Sequence, residues 1–96
     1  MDTEQLARLI DAAIGDELRA QRQHLKLSRA ALEKLSGVSA STIQRVEEGR
    51  RSPDSQQLVK LTAALGTTMR EFVNRALKDI EGAHDPEKPS PTSQPG

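Results

Sequence analysis

Ala40, Ser41, Gln44 and Arg45 are the residues of this chain whose types and spacing suit recognition chemistry. On a helix, positions three and four apart are neighbours, so Ser41, Gln44 and Arg45 fall on one face. A methyl, a hydroxyl, an amide and a guanidinium are the groups that read base edges in the major groove of DNA. Alanine can touch a thymine methyl and serine can donate or accept. Arg45 can grip guanine with two hydrogen bonds worth about 1–3 kcal/mol of discrimination; the plainer roles open to it are a phosphate contact or a surface pair with Glu48. Glu48 ends the same face and adds a negative charge near the phosphate path, while Arg50 and Arg51 follow in a loop suited to phosphates. Catalysis lacks its parts. There is no cysteine, the two histidines (His24 and His84) lie far apart, and no glycine-rich phosphate loop or nucleophile and histidine arrangement is present. No enzyme activity, metal or cofactor is expected.

The elements that must position that face lie between Leu27 and Pro53. Ser28 caps a short helix with Ala31, Leu32 and Leu35 turned inward, and Gly37 ends it. Ser39 caps a second helix, which buries Ile43 and Val46 and stops at Gly49. Two short helices joined by so tight a turn cross steeply, which leaves the outer face of the second projecting.

Around this pair the remaining pattern is helical too. From Thr3, as cap, to about Leu25 the apolar residues Leu6, Leu9, Ile10, Ala13, Ile14 and Leu18 form a stripe, read as one long helix despite Gly15. Asp54 and Gln57 have capping-box spacing ahead of a helix carrying Leu58, Leu61, Ala64 and Leu65, closed by Gly66. Thr68 and Glu71 repeat that spacing before a last helix with Met69, Phe72, Val73, Ala76, Leu77 and Ile80. Phe72 is the only aromatic residue, so the core is aliphatic and an all-α fold of small, closely packed helices is expected. Residues 82–96, rich in proline, serine and glycine, are expected to be disordered.

The ordered series Ile14-Gly15, Arg22, Leu27-Ser28, Leu32, Gly37-Val38-Ser39, Ser41-Thr42-Ile43, Glu47 and Gly49, Pro53, and Leu58 through Leu61 to Leu65-Gly66 resembles the phage-repressor-like helix-turn-helix proteins, the Cro/C1 or XRE type. The resemblance spans about Ile14 to Val73. It implies a compact five-helix lambda-repressor-like domain over residues 14–81, with the motif at about 28–48, a helical extension at 1–13 and a tail at 82–96. It also implies a dimeric, sequence-specific transcriptional repressor on a palindromic DNA operator. Ala40, Ser41, Gln44 and Arg45 would then read bases; Ser28, Arg29, Thr42, Arg50 and Arg51 would contact phosphates. Arg22 and Glu47 would form a structural ion pair. Phe72, Val73, Ala76, Leu77 and Ile80 would offer a homodimer interface, unless the two terminal helices cover each other within one chain. Three departures stand out: Arg29 replaces the usual glutamine, Glu33 replaces an alanine where the motif helices approach, and Gln21 replaces an apolar residue.

Net charge is zero, with 14 basic and 14 acidic residues, so sequence-independent attraction to DNA must come from distribution. Arg19, Arg22, Lys26, Arg29, Lys34, Arg45, Arg50 and Arg51 crowd the motif and its flanks against only Glu33, Glu47 and Glu48. No apolar run approaches the ~20 residues needed to span a bilayer, and the acidic amino terminus is unlike a secretory signal, so a cytoplasmic protein is expected. Two other functions fit the pattern. One is an antitoxin that binds its own operator and a toxin; the other is a protein-interaction module that has lost DNA binding.

Overall fold

Asp2 opens the first helix of the computed structural model, which describes residues 1–80. Its carboxylate accepts the Gln5 N–H at 2.7 Å, and the Gln5 side chain accepts the Asp2 N–H at 3.2 Å. This reciprocal box moves the cap one residue ahead of Thr3: only from Asp2 does the residue three places on, Gln5, reach back. Helix α1 then runs from Thr3–His24 without a break at Gly15. It is followed by α2 (Arg29–Ser36), α3 (Ala40–Glu47), α4 (Ser55–Ala64) and α5 (Met69–Ala76). The expected disorder of residues 82–96 concerns a stretch outside the described residues. No helix among the described residues is long and apolar enough to cross a membrane.

The short helices could not persist alone, because isolated helices under ~12–15 residues are marginal in water. Packing holds them. Leu18, Leu32, Ile43, Val46, Leu61 and Phe72 are fully buried, joined by Val38 and Leu65 in one core. Each large apolar side chain so buried contributes about 1.5–3 kcal/mol. Helix α1 packs on α3 and α5, α2 on α3 and α4, and α4 on α5. Helix α3 is therefore held from two sides, by α1 and α2, with its third side open.

Gly15 explains how α1 comes so close. A Cβ at this position would lie 2.2 Å from the carbonyl oxygen of Val46, near the end of α3. The glycine that interrupts the apolar stripe is therefore the contact point between the lead-in helix and the projecting one.

Two expectations need correction. Leu35 is 61% exposed rather than inward. Ala31 and Leu32 do turn inward, joined by Arg29 and Ser36 in place of Leu35, and the Ser36 hydroxyl accepts the Val38 N–H at 3.0 Å. The last helix does not run unbroken to Ile80 either. It ends at Ala76 with the buried Leu77 as its C-cap, and a further helical turn occupies residues 78–80.

Just past the C-cap of α1, Lys26 has a φ of 60°, the only non-glycine residue with positive φ among those described. The N–H groups of Lys26 and Leu27 close on the carbonyls of Gln23 and Arg22 at 2.9 and 3.1 Å, the same pair of bonds that Gly66 and Thr67 make after α4. A side chain in this left-handed region costs about 1 kcal/mol. Lys26→Gly is therefore expected to stabilise the domain by about that amount, read as a rise in the urea midpoint at unchanged slope.

Candidate nucleic-acid interface

The start of α3 is fixed by two acceptors. Ser39 Oγ accepts the Thr42 N–H at 3.1 Å, as its capping role requires, and Glu33 reaches across the turn to accept the Ala40 N–H at 3.0 Å. The departure at Glu33 thus places a carboxylate at the positive end of the projecting helix, where it is favoured. The stem turns outward, as a charged residue between closely crossing helices must.

The far end of α3 is fixed by charge. Glu47 has no exposed side-chain surface, and Arg22 holds both of its oxygens: Nε donates to Oε2 at 2.6 Å and Nη2 to Oε1 at 2.9 Å. The remaining branch of the same guanidinium, Nη1, donates to the Leu27 carbonyl at 2.8 Å. Hydrogen bonding to Glu47 raises the Arg22 pKa above its ordinary value, against the opposing effect of burial. Arg29 Nε also donates to Glu47 Oε1, at 3.1 Å, and Arg19 Nη2 to the Glu47 backbone carbonyl at 3.3 Å. Three arginines from α1 and α2 thus meet the carboxyl end of α3, where cations are favoured.

Between these anchors, Ile43, Val46 and Glu47 point into the protein and Ser41, Gln44, Arg45 and Glu48 point out. Ala40 and Thr42 flank that outer face, half-buried, and the Thr42 hydroxyl oxygen accepts from Ser39 Oγ at 2.9 Å. Arg45 has no ion-pair or hydrogen-bonding partner among the described residues, and its side chain is exposed. The surface pair open to it, with Glu48, is not formed. Glu48 instead accepts from Gln44 Nε2 at 3.1 Å and pairs with Arg50 Nε at 3.0 Å. The Gln44 amide first, and Arg50 after it, hold the Glu48 carboxyl below the usual carboxylate range.

The loop after α3 carries the remaining phosphate candidates. Arg50 and Arg51 are both exposed, Arg51 lying 3.5 Å from the Gln57 side-chain oxygen. The loop is tied back to the amino-terminal extension, because Ser52 Oγ donates to the Asp11 carboxylate and Gly49 faces Ala12 closely. Ser28 Oγ accepts the Ala31 N–H at 3.0 Å, which leaves its own proton for a phosphate. Arg29 is placed differently from a free phosphate ligand: Glu47 draws it inward, and its side chain is 35% exposed.

The structure thus brings Ser41, Gln44 and Arg45 to one open face, with Arg50 and Arg51 beyond its end, and it forms the ion pair of Arg22 and Glu47. Phe72 and Leu77 belong to the interior of the single chain, at 1% and 8% exposure, so of the candidate interface only Val73, Ala76 and Ile80 reach the surface. Gln21, where an apolar residue was usual, is half-buried and donates to Glu17 one turn earlier at 2.5 Å. Five positioning contacts were not read from the sequence: Glu33 on Ala40, Arg19 and Arg29 on Glu47, Asp11 on Ser52, and Glu48 between Gln44 and Arg50. Only the last had a local signal, the four-residue spacing of Gln44 and Glu48.

Residues 18–72 match the family described as Helix-turn-helix. The chain is 44% identical over 57 residues to an uncharacterized HTH-type transcriptional regulator of Haemophilus influenzae, covering 59% of this chain and 58% of that one. It is 36% identical over 81 residues to the HTH-type transcriptional repressor RghR of Bacillus subtilis, covering 83% of this chain and 59% of that one. It thus spans less than two thirds of either relative's length. Among solved structures, the restriction-modification controller protein C.AhdI of Aeromonas hydrophila superposes with a TM-score of 0.62 at 34% identity, over 65% of this chain and 94% of that one.

Proposed function

Because the chain belongs to the helix-turn-helix family of DNA-binding transcriptional regulators, of the Cro/C1 type, we propose that it is a dimeric repressor that occupies a palindromic operator with α3 in the major groove. It is a regulator and not an enzyme. The observation that carries the reading is the outer face of α3. Ser41, Gln44 and Arg45, the last without a partner among the described residues, lie together on a helix locked at both ends, by Glu33 and Ser39 at one and by the arginines on Glu47 at the other. A rigid helix presenting such groups reads bases; Ser28, Thr42, Arg50 and Arg51 fix its register on the backbone. One such helix covers too few base pairs for specificity, so two subunits about one helical turn apart are required.

In this reading the second subunit packs on the surface left by α1 and the end of the described chain. Ala76 and Ile80 line a groove there with Leu9 and Ala13, and Leu6 adds exposed apolar surface. Repression follows from occupying a promoter. Support for repression rather than activation comes from the relative named as a repressor.

Selection of bound duplexes from random DNA tests this. The wild-type protein is expected to enrich a two-fold symmetric site, and Arg45→Ala to lose preference at one position in each half-site, with about 1–3 kcal/mol of discrimination gone there. Enrichment of nothing, or of an unchanged site by the variant, contradicts the assignment of α3 as the reading helix.

A further inference from the structure

Glu48 is an acid among the donors that α3 and its loop turn outward. One of its carboxylate oxygens accepts from Gln44 Nε2 at 3.1 Å, and the other lies 3.0 Å from Arg50 Nε. An amide of the base-reading face and a guanidinium of the phosphate loop therefore converge on one anion. A backbone phosphate oxygen takes the same kinds of donor. Here the carboxylate of the protein itself fills the place.

The placement is specific. Glu48 is the C-cap of α3, its N–H donating to the Gln44 carbonyl at 3.0 Å, and its side chain is 35% exposed. Nothing in the core depends on the carboxylate, unlike that of Glu47 one position earlier. The nearby Arg45 is left without a partner among the described residues, so the carboxylate does not act on the whole face. It holds back one phosphate ligand and one neighbouring amide.

We propose that Glu48 is an internal stand-in for a DNA phosphate, a brake that keeps Arg50 off the backbone in sequence-independent binding. The proposal rests on the reading that α3 and its loop face DNA, but it concerns phosphates and needs no operator. Binding without sequence preference comes almost wholly from phosphate contacts, so it bears the full effect of the brake. A correct site adds base contacts through Arg45 that Glu48 does not oppose.

The test is the affinity of the full chain for a random-sequence duplex across a salt series, with Glu48→Gln and Glu48→Ala beside wild type. Circular dichroism melts confirm that each variant folds. Both variants are expected to bind roughly threefold to tenfold more tightly per subunit at low salt, with the slope of log affinity against log salt steeper by about 0.9 for the added phosphate contact. Adding Arg50→Ala to Glu48→Gln is expected to cancel the gain, because the freed guanidinium is its source. Unchanged or weaker binding by both variants, an unchanged salt slope, or a gain that survives the loss of Arg50 overturns the proposal. Should duplex selection enrich no site while Glu48→Gln still tightens binding through Arg50, the repressor reading fails and this one stands.

Discussion

Glu47→Ala is expected to destabilise the domain by about 3–5 kcal/mol, because it leaves the Arg22 guanidinium buried without its counter-charge. A small domain has about 5–15 kcal/mol in total, so this one change removes a large share of the native stability. A urea titration followed by helical circular dichroism reads the loss as a lower midpoint. Arg19 and Arg29, at 42% and 35% side-chain exposure, can turn to water once the carboxylate is gone, whereas Arg22, at 10%, cannot. The double variant Arg22→Met with Glu47→Leu is expected to recover most of the stability, since replacing both members of a buried pair by apolar groups is often neutral or better. Recovery of the fold separates the two roles of the pair. The ionic contact fixes the position of α3, and the apolar substitute need only fill the space.

Gly15→Ala has the second largest expected effect. In an ordinary helix interior this change is stabilising, by about 0.8–1 kcal/mol in helix propensity. Here the new methyl would sit 2.2 Å from the Val46 carbonyl oxygen and 3.0 Å from that of Glu47. Those are backbone atoms and cannot rotate away, so α1 must lift from the end of α3. Overpacking of this kind costs about 1–3 kcal/mol, occasionally more, and it outweighs the propensity gain. The shift also pulls Arg19 and Arg22 away from Glu47, which both helices share. A lowered melting temperature is expected for Gly15→Ala, and a raised one would show that the close approach is absent in solution.

These two residues show what could be read from the sequence and what could not. The helices were legible because their punctuation is local: Ser28, Ser39 and Asp54 accept N–H groups three residues on, and Gly37, Gly49 and Gly66 take positive φ at helix ends. The outer face of α3 was legible for the same reason, since its period is that of one helix. The pairing of Arg22 with Glu47 came from the family resemblance, as the two lie 25 positions apart. Arg19 on the Glu47 carbonyl spans 28 residues and Asp11 on Ser52 spans 41, and no local pattern announces contacts of that separation. Leu35 misled because α2 is only eight residues long. In so short a helix one residue, Leu32, sets the inward direction, and a leucine three positions on can fall outside it. Arg29 was assigned to phosphate by position, but it also lies within reach of a buried carboxylate that only the folded chain brings near.

Which surface meets DNA is measured directly by amide and side-chain nuclear magnetic resonance of the labelled chain during titration with a short duplex. Because phosphate-driven binding uses the same surface as specific binding, the result does not depend on knowing the operator. The largest shifts are expected at Ser41, Gln44, Arg45, Glu48, Arg50 and Arg51, with Leu9, Ala13, Ala76 and Ile80 unmoved. Shifts concentrated in the groove between α1 and the end of the described chain, with α3 unmoved, would contradict the central claim.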